Sequence, residues 1–186
     1  MARVFRPTFL DVFNLNNLEL GALFSTYGIV AFISYVFGGI IADKVSPRKL
    51  LSASLIFTSL GGILMMTYPS YFLLQVLFAY WGFTTVFLFW APMIKATTII
   101  GGIKRQGKTF SFLDAGRGLV ASSIGVIGVI IFSIVVKDDI STINIDDKKE
   151  AFKYVIGVSS ILVFIIGIIV YKVLDIRSEE HTSELQ

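Results

Sequence analysis

The sequence lacks cysteine altogether and contains few groups that could carry out chemistry. His181 is the single histidine, and charged residues make up only 16% of the 186. The absence of cysteine excludes disulfides, thiolate catalysis and Cys-ligated metal sites. A lone histidine leaves no ligand set for a His-bound metal and no partners for a Ser-His-Asp triad. We therefore predict no catalytic residue, no metal site and no bound cofactor.

Long apolar segments dominate the sequence instead. Hydrophobic residues amount to 55% and the mean hydropathy is +0.79, whereas about a quarter of the residues in a soluble domain are charged. Five segments can cross a hydrocarbon core of roughly 30 Å, which takes about 20 helical residues. They lie at about 20–41, 50–68, 71–94, 110–136 and 151–174. None alternates like a barrel strand, so we predict an all-α membrane protein with five transmembrane helices in a lipid bilayer.

Basic residues concentrate in alternate connections between these segments. The connection at 42–49 contains Lys44, Arg48 and Lys49, and the connection at 95–109 contains Lys95, Lys104, Arg105 and Lys108. The connection around Pro69 has no charge. Because Lys and Arg accumulate on the cytoplasmic side of a membrane, loops 42–49 and 95–109 are predicted to be cytoplasmic. These cations alternate with apolar runs and do not form one basic face, so no nucleic-acid partner is predicted.

The first 19 and the last 12 residues differ from the apolar segments between them. Asn16 followed by Glu19 has the form of a capping box, which predicts the start of the first spanning helix. That helix enters from outside, so we interpret 1–19 as the remnant of an earlier helix one and its external loop. The transmembrane bundle follows at 20–174. The final stretch RSEEHTSELQ resembles the in-frame translation of a sequencing-library adapter. We expect 175–186 to be mostly an artefact, and an ordinary cytoplasmic tail is the alternative.

Residues 39–51, GIIADKVSPRKLL, resemble the signature loop of the Major Facilitator Superfamily, which joins helices two and three on the cytoplasmic side. The positions that match are Gly39, Asp43, Lys44, Arg48 and Lys49. Ser46 and Pro47 depart from the pattern, since the family more often has glycine and a basic residue there. Residues 90–95 resemble the cytoplasmic end of helix four, and 106–118 resemble the start of helix five. By this resemblance the chain covers helices two to six of a six-helix N-terminal half.

The resemblance also implies a function. The family builds two six-helix halves around a central substrate path and alternates access by rocking one half against the other. It implies secondary transport of a small polar or anionic solute in a bacterial inner membrane. The coupling ion and the missing C-terminal half would be the partners, and the signature loop would gate the halves through a charge network. Two other functions stay open, a membrane-embedded enzyme and a non-transporting scaffold. An enzyme would have only one carboxylate inside the predicted helices, and a scaffold would need no signature loop.

Asp114 and Arg117 are the charged pair inside an apolar segment. Their i, i+3 spacing lets them meet on one helix face. A charge in hydrocarbon costs at least about 2.5 kcal/mol, so such residues tend to face a cavity or a partner. Arg117 would bind an anionic group, with Asp114 as its counter-ion, or the pair would stabilise the bundle or gate it near the interface. Tyr80 and Trp81 lie mid-helix and are candidates for lining the solute path.

Overall fold

Five helices long enough to span a bilayer dominate the computed structural model, which describes residues 4–135 and 144–174. A short helix, α1, precedes them. The helices are α1 (Arg6–Phe13), α2 (Asn17–Lys44), α3 (Pro47–Met65), α4 (Tyr71–Gly102), α5 (Lys104–Ile134) and α6 (Ile145–Val173). The described residues contain no strand, so the predicted all-α membrane fold is confirmed. The predicted artefactual tail at 175–186 lies outside the described residues.

The connections on the basic side are much shorter than predicted. Only Val45 and Ser46 separate α2 from α3. The prediction of a loop at 95–109 was wrong, because this stretch is helical on both sides of a break at Gly102, where φ is 54° and ψ is −175°. A positive φ of this kind favours glycine. Hydropathy marks where a segment leaves the hydrocarbon, whereas a helix continues into the headgroup region for as long as its backbone stays bonded.

The start of α2 confirms the predicted capping box. The backbone N–H of Glu19 donates to Asn16 Oδ1 at 2.9 Å, and the backbone N–H of Asn16 donates to Glu19 Oε2 at 2.8 Å. Two amides that the first turn would leave without partners are thereby bonded. The helix therefore begins at Asn17, three residues ahead of the apolar run that marked it.

The main hydrophobic core lies at the end of the bundle opposite the two short connections. Phe9 of α1 and Phe152 of α6 are fully buried there, with ring centroids 6.2 Å apart in an edge-on arrangement. Leu20, Leu74 and Met65 bring α2, α4 and α3 into the same cluster. Residues 6–13, which we interpreted as part of helix one, thus form a helix packed on this core.

Helix α4 changes its pitch in the middle. Phe83–Trp90 form a π-helix, after which α-helix resumes at Ala91 and includes the buried Pro92. Proline lacks an N–H and clashes with the carbonyl four residues earlier, so a wider turn just before it accommodates the ring without ending the helix. Thr84, 1% exposed, accepts from Thr58 at 3.2 Å and ties this segment to α3. Trp90 is consequently placed at the end of the wide turn.

Tyr68, in the connection between α3 and α4, fastens that connection to α6. Its hydroxyl donates to the backbone carbonyl of Lys149, and burial raises the pKa of Tyr68 to about 12. The folded state holds the proton more tightly than the unfolded chain, whose tyrosine pKa is about 10. The stabilisation is therefore complete below about pH 10 and is lost as the pH rises towards about 12.

We expect Tyr68→Phe to unfold at a lower temperature than the wild type at pH 8, because it loses one hydrogen bond worth about 1 kcal/mol. The difference should shrink and then reverse between about pH 10 and 12, since unfolding of the wild type then releases the Tyr68 proton, whereas phenylalanine has no proton to release. Thermal unfolding of both proteins across this range measures the effect, and other groups titrate equally in the two. A difference that does not change with pH would contradict the assignment.

Candidate functional site

The end of α2 that carries the signature-loop residues is capped by a lysine from α4. Lys95 Nζ donates to the carbonyl of Ala42 at 2.8 Å and to that of Asp43 at 3.4 Å. It also lies 3.8 Å from Asp43 Oδ1. A helix C-terminus carries about half a negative charge on its unbonded carbonyls, so a cation there is stabilising. Lys95 thus links α4 to the last turn of α2, a role that its basic loop position did not reveal.

The Asp43 carboxylate is only loosely engaged by this contact. Its side chain is 81% exposed, against 33% for Lys95, and 3.8 Å is long for a hydrogen-bonded ion pair. Exposed ion pairs contribute about 0–1 kcal/mol. The carbonyls of α2 therefore hold Lys95, and the carboxylate of Asp43 stays available for another cation.

The remaining signature-loop residues point in different directions. Lys44 and Lys49 are exposed, whereas the guanidinium of Arg48 lies 5.3 Å from the ring centre of Tyr171 on α6. Gly39 is exposed, and a Cβ placed on it would meet no atom within 4 Å. Its neighbour Gly38 makes the close approach to α4, where a Cβ would lie 3.2 Å from the Phe87 carbonyl oxygen. Within the described residues, no helix packs on Gly39.

Asp114 and Arg117 form the predicted pair on α5. Arg117 Nη1 donates to Asp114 Oδ1 at 3.2 Å, and the two side chains are 48% and 75% exposed, respectively. The guanidinium carbon of Arg117 also lies 4.8 Å from the ring centre of Trp90. Trp90 in turn donates its indole N–H to Tyr35 Oη on α2 at 3.0 Å. The pair is thereby joined through Trp90 to the helix that carries the signature loop.

A cavity of about 250 Å³ lies between α2 and α4 beside these groups. Its wall includes Tyr35, Gly39, Ala42, Asp43, Trp90 and Lys95. The structure therefore brings two of the five signature-loop residues together with Trp90, the aromatic residue on which Arg117 stacks. Sequence reasoning did not join Tyr35 and Lys95 to this group, because their contacts are with residues 55 and 53 positions away in the chain.

Comparison with known sequences assigns this chain to a family. The chain matches the Major Facilitator Superfamily over residues 1–186. It belongs to that superfamily. It is 33% identical over 154 residues to the inner membrane protein YqcE of Escherichia coli (strain K12), covering 83% of this chain and 34% of that protein. It is 27% identical over 176 residues to the inner membrane protein YihN of the same organism, covering 95% of this chain and 39% of that protein.

The chain spans little more than a third of the length of these Major Facilitator relatives. No solved structure matches it. The predicted family resemblance is confirmed by these matches. The described residues accordingly represent part of the bundle that a complete member of the superfamily possesses.

Tyr80 and Trp81 occupy the interface between α3 and α4 in this Major Facilitator bundle. Tyr80 Oη donates to the carbonyl of Phe57 at 2.7 Å, and Trp81 Nε1 donates to the carbonyl of Thr58 at 3.1 Å. Neither lines the cavity beside Trp90. Both side chains instead cross-link two helices through polar groups that would otherwise face apolar surroundings.

Proposed function

We propose that this chain is part of a secondary transporter that moves a small polar or anionic solute across a bacterial inner membrane by alternating access. Membership of the Major Facilitator Superfamily points to transport rather than to enzymatic chemistry. The observation that carries the mechanistic part is the cap that Lys95 places on α2 next to the loosely paired Asp43. In this proposal, residues 42–49 and 95–109 lie on the cytoplasmic side of the membrane.

The cap on α2 supports alternating access because it leaves the Asp43 carboxylate able to bind a second cation. Asp43 is mostly exposed while Lys95 is held by backbone carbonyls, so a cation from a second half of the transporter can bind Asp43 without first breaking the cap. A contact of this kind between two rigid halves forms in one orientation and separates in the other. The free energy of such a contact is modest, so solute binding can shift the equilibrium between the two orientations.

The exposed apolar side chains of the bundle support the proposal that lipid and a second half of the transporter surround it. Leu119 on α5 is 71% exposed, Phe32 on α2 is 74% exposed, and both belong to helices that meet the length and hydropathy of a membrane span. A water-soluble protein rarely exposes so many large apolar side chains. Lipid chains and the helices of the proposed C-terminal half would cover these faces.

The chemistry of Arg117 supports the proposal that the solute is anionic. Its guanidinium is a planar cation that presents several N–H donors. The only carboxylate that pairs with it among the described residues is Asp114, which is 75% exposed and within reach of water. An anionic group that displaces or joins Asp114 would find a partly desolvated cation there, where attraction is stronger than in bulk water.

Transport by the full-length protein in proteoliposomes tests this proposal. We expect a panel of radiolabelled organic anions and neutral polar solutes, screened under pH and sodium gradients, to contain at least one that accumulates above empty liposomes. Asp43→Asn should lower its initial uptake rate by up to about fivefold, because the amide cannot attract a cation from the other half and an exposed ion pair contributes at most about 1 kcal/mol. Asp147→Asn, the same change at an exposed position outside the signature loop, should leave it near normal. Equal rates for Asp43→Asn and the wild type would contradict the gating role.

A further inference from the structure

Trp90, on α4, contacts α2 through the N–H edge of its indole and α5 through the face of the ring. The N–H edge donates to Tyr35 Oη of α2 at 3.0 Å, and the ring lies 4.8 Å from the guanidinium carbon of Arg117 on α5. The residue itself sits at the end of the π-helical stretch of α4. No other aromatic ring among the described residues both donates a hydrogen bond from its edge and stacks on a cation.

Stacking on the ring restrains Arg117 without using up its donors. The attraction acts on the face of the guanidinium, while its N–H groups point outward in the guanidinium plane. Asp114 Oδ1 accepts from Nη1 at 3.2 Å, and the donors on the other edges stay available. An arginine side chain that is free to rotate loses up to about 2 kcal/mol of entropy when a ligand fixes it. A ring that holds it in advance removes part of this cost.

The hydrogen bond to Tyr35 determines how the ring is presented. An indole that lacked this bond would be free to turn about its side-chain torsions, and its face would no longer stay beneath the guanidinium. With the bond, the position of Arg117 depends on α2, the helix that ends at Asp43 and the signature loop. The geometry of the anion-binding group is therefore coupled to the proposed gate.

We propose that Trp90, anchored by Tyr35, is the positioning residue that presents Arg117 to an oxyanion, a carboxylate or phosphate group of the transported solute. Both groups carry oxygens spaced to accept two parallel N–H bonds from a guanidinium. This inference rests on the proposed transport function and specifies the chemistry that Arg117 recognises.

Fluorine NMR of the full-length protein labelled with 5-fluorotryptophan in nanodiscs tests the inference. The Trp90 signal is assigned by its loss in Trp90→Phe. We expect Arg117→Ala to shift the Trp90 signal, because the stacked cation is gone, and to leave the Trp81 signal in place. Trp81 bonds to α3 instead, so it controls for the fold within the same spectrum. Acetate and inorganic phosphate, titrated separately against chloride, should shift Trp90 in the wild type and not in Arg117→Ala. The anion that saturates at the lower concentration identifies the group.

Substitutions of Trp90 and Tyr35 test whether the indole positions Arg117 or only fills space between the helices. Anion affinity is measured from the Trp90 signal in the wild type and in Tyr35→Phe, and by isothermal calorimetry in Trp90→Phe and Trp90→Leu. We expect Trp90→Leu to bind about three- to fivefold more weakly, since an exposed cation–π contact has a strength of that order. Trp90→Phe, which keeps an aromatic face, should recover most of the affinity, and Tyr35→Phe should fall between it and Trp90→Leu.

Two results would overturn the inference in different ways. If binding depends on Arg117 but Trp90→Leu binds as tightly as the wild type, Trp90 does not position the arginine. If neither anion shifts Trp90, Arg117 is not an oxyanion site, although uptake of another solute in the proteoliposome assay would leave the transport function standing.

Discussion

If the proposed function holds, replacing Arg117 by alanine should lower solute uptake by the full-length protein at least about tenfold while membrane insertion stays intact. Hydrogen bonds to charged groups contribute about 1.5–3 kcal/mol, which corresponds to a factor of roughly ten to a hundred in affinity. The variant also leaves Asp114 without the cation that lies 3.2 Å from it, so an anionic solute would meet an uncompensated negative charge. The initial uptake rate in proteoliposomes, measured at several solute concentrations, gives the effect on both affinity and maximal rate.

Arg117→Lys separates charge from shape. Lysine keeps the positive charge but lacks the planar fork that binds two oxygens at once, so we expect uptake between those of the wild type and the alanine variant. Arg105→Ala is the matched control, because Arg105 is an exposed cation on the first turn of the same helix. Wild-type uptake by Arg117→Ala, with equal amounts of protein in the membrane, would eliminate the solute role and leave the pair as a stabilising contact.

Gly82→Ala should destabilise the bundle by forcing α2 and α4 apart. A Cβ at Gly82 would lie 2.6 Å from the backbone oxygen of Tyr27 and 3.2 Å from the backbone nitrogen of Ala31. The backbone of α2 cannot move aside as a flexible side chain can, so α2 and α4 must separate. Overpacking of this kind costs about 1–3 kcal/mol, and small residues are what permit close helix crossings in lipid. Thermal unfolding of the purified protein in detergent measures the loss.

Gly28→Ala provides the control for the glycine substitution itself. It lies in α2 one residue after Tyr27, and a Cβ there meets no atom within 4 Å. Alanine is favoured over glycine in a helix by about 0.5–1 kcal/mol, so this variant should unfold at the wild-type temperature or slightly above it. If Gly82→Ala and Gly28→Ala unfold alike, α2 and α4 do not cross as closely as the structure places them.

Local patterns predicted the features of this fold that depend on neighbouring residues in the chain. Hydropathy summed over about 20 residues located all five spans, because the cost of placing a segment in hydrocarbon is a sum over its own side chains. The capping box at Asn16 and the pairing of Asp114 with Arg117 follow from spacings of three residues along one helix. The helix ends were predicted less well, and 95–109 was wrongly assigned to a loop.

The sequence by itself therefore determined that this is an α-helical membrane protein with five spans among the described residues, and its signature loop indicated the superfamily. Only the tertiary structure decided that Lys95 caps α2, that Trp90 joins Tyr35 to Arg117, and that Tyr80 pairs with α3. These contacts join residues 53, 55 and 23 positions apart, and they depend on how each helix is rotated about its axis. In a soluble protein an apolar stripe reveals that rotation. A helix in lipid is apolar on nearly every face, so its rotation is set by packing against its neighbours.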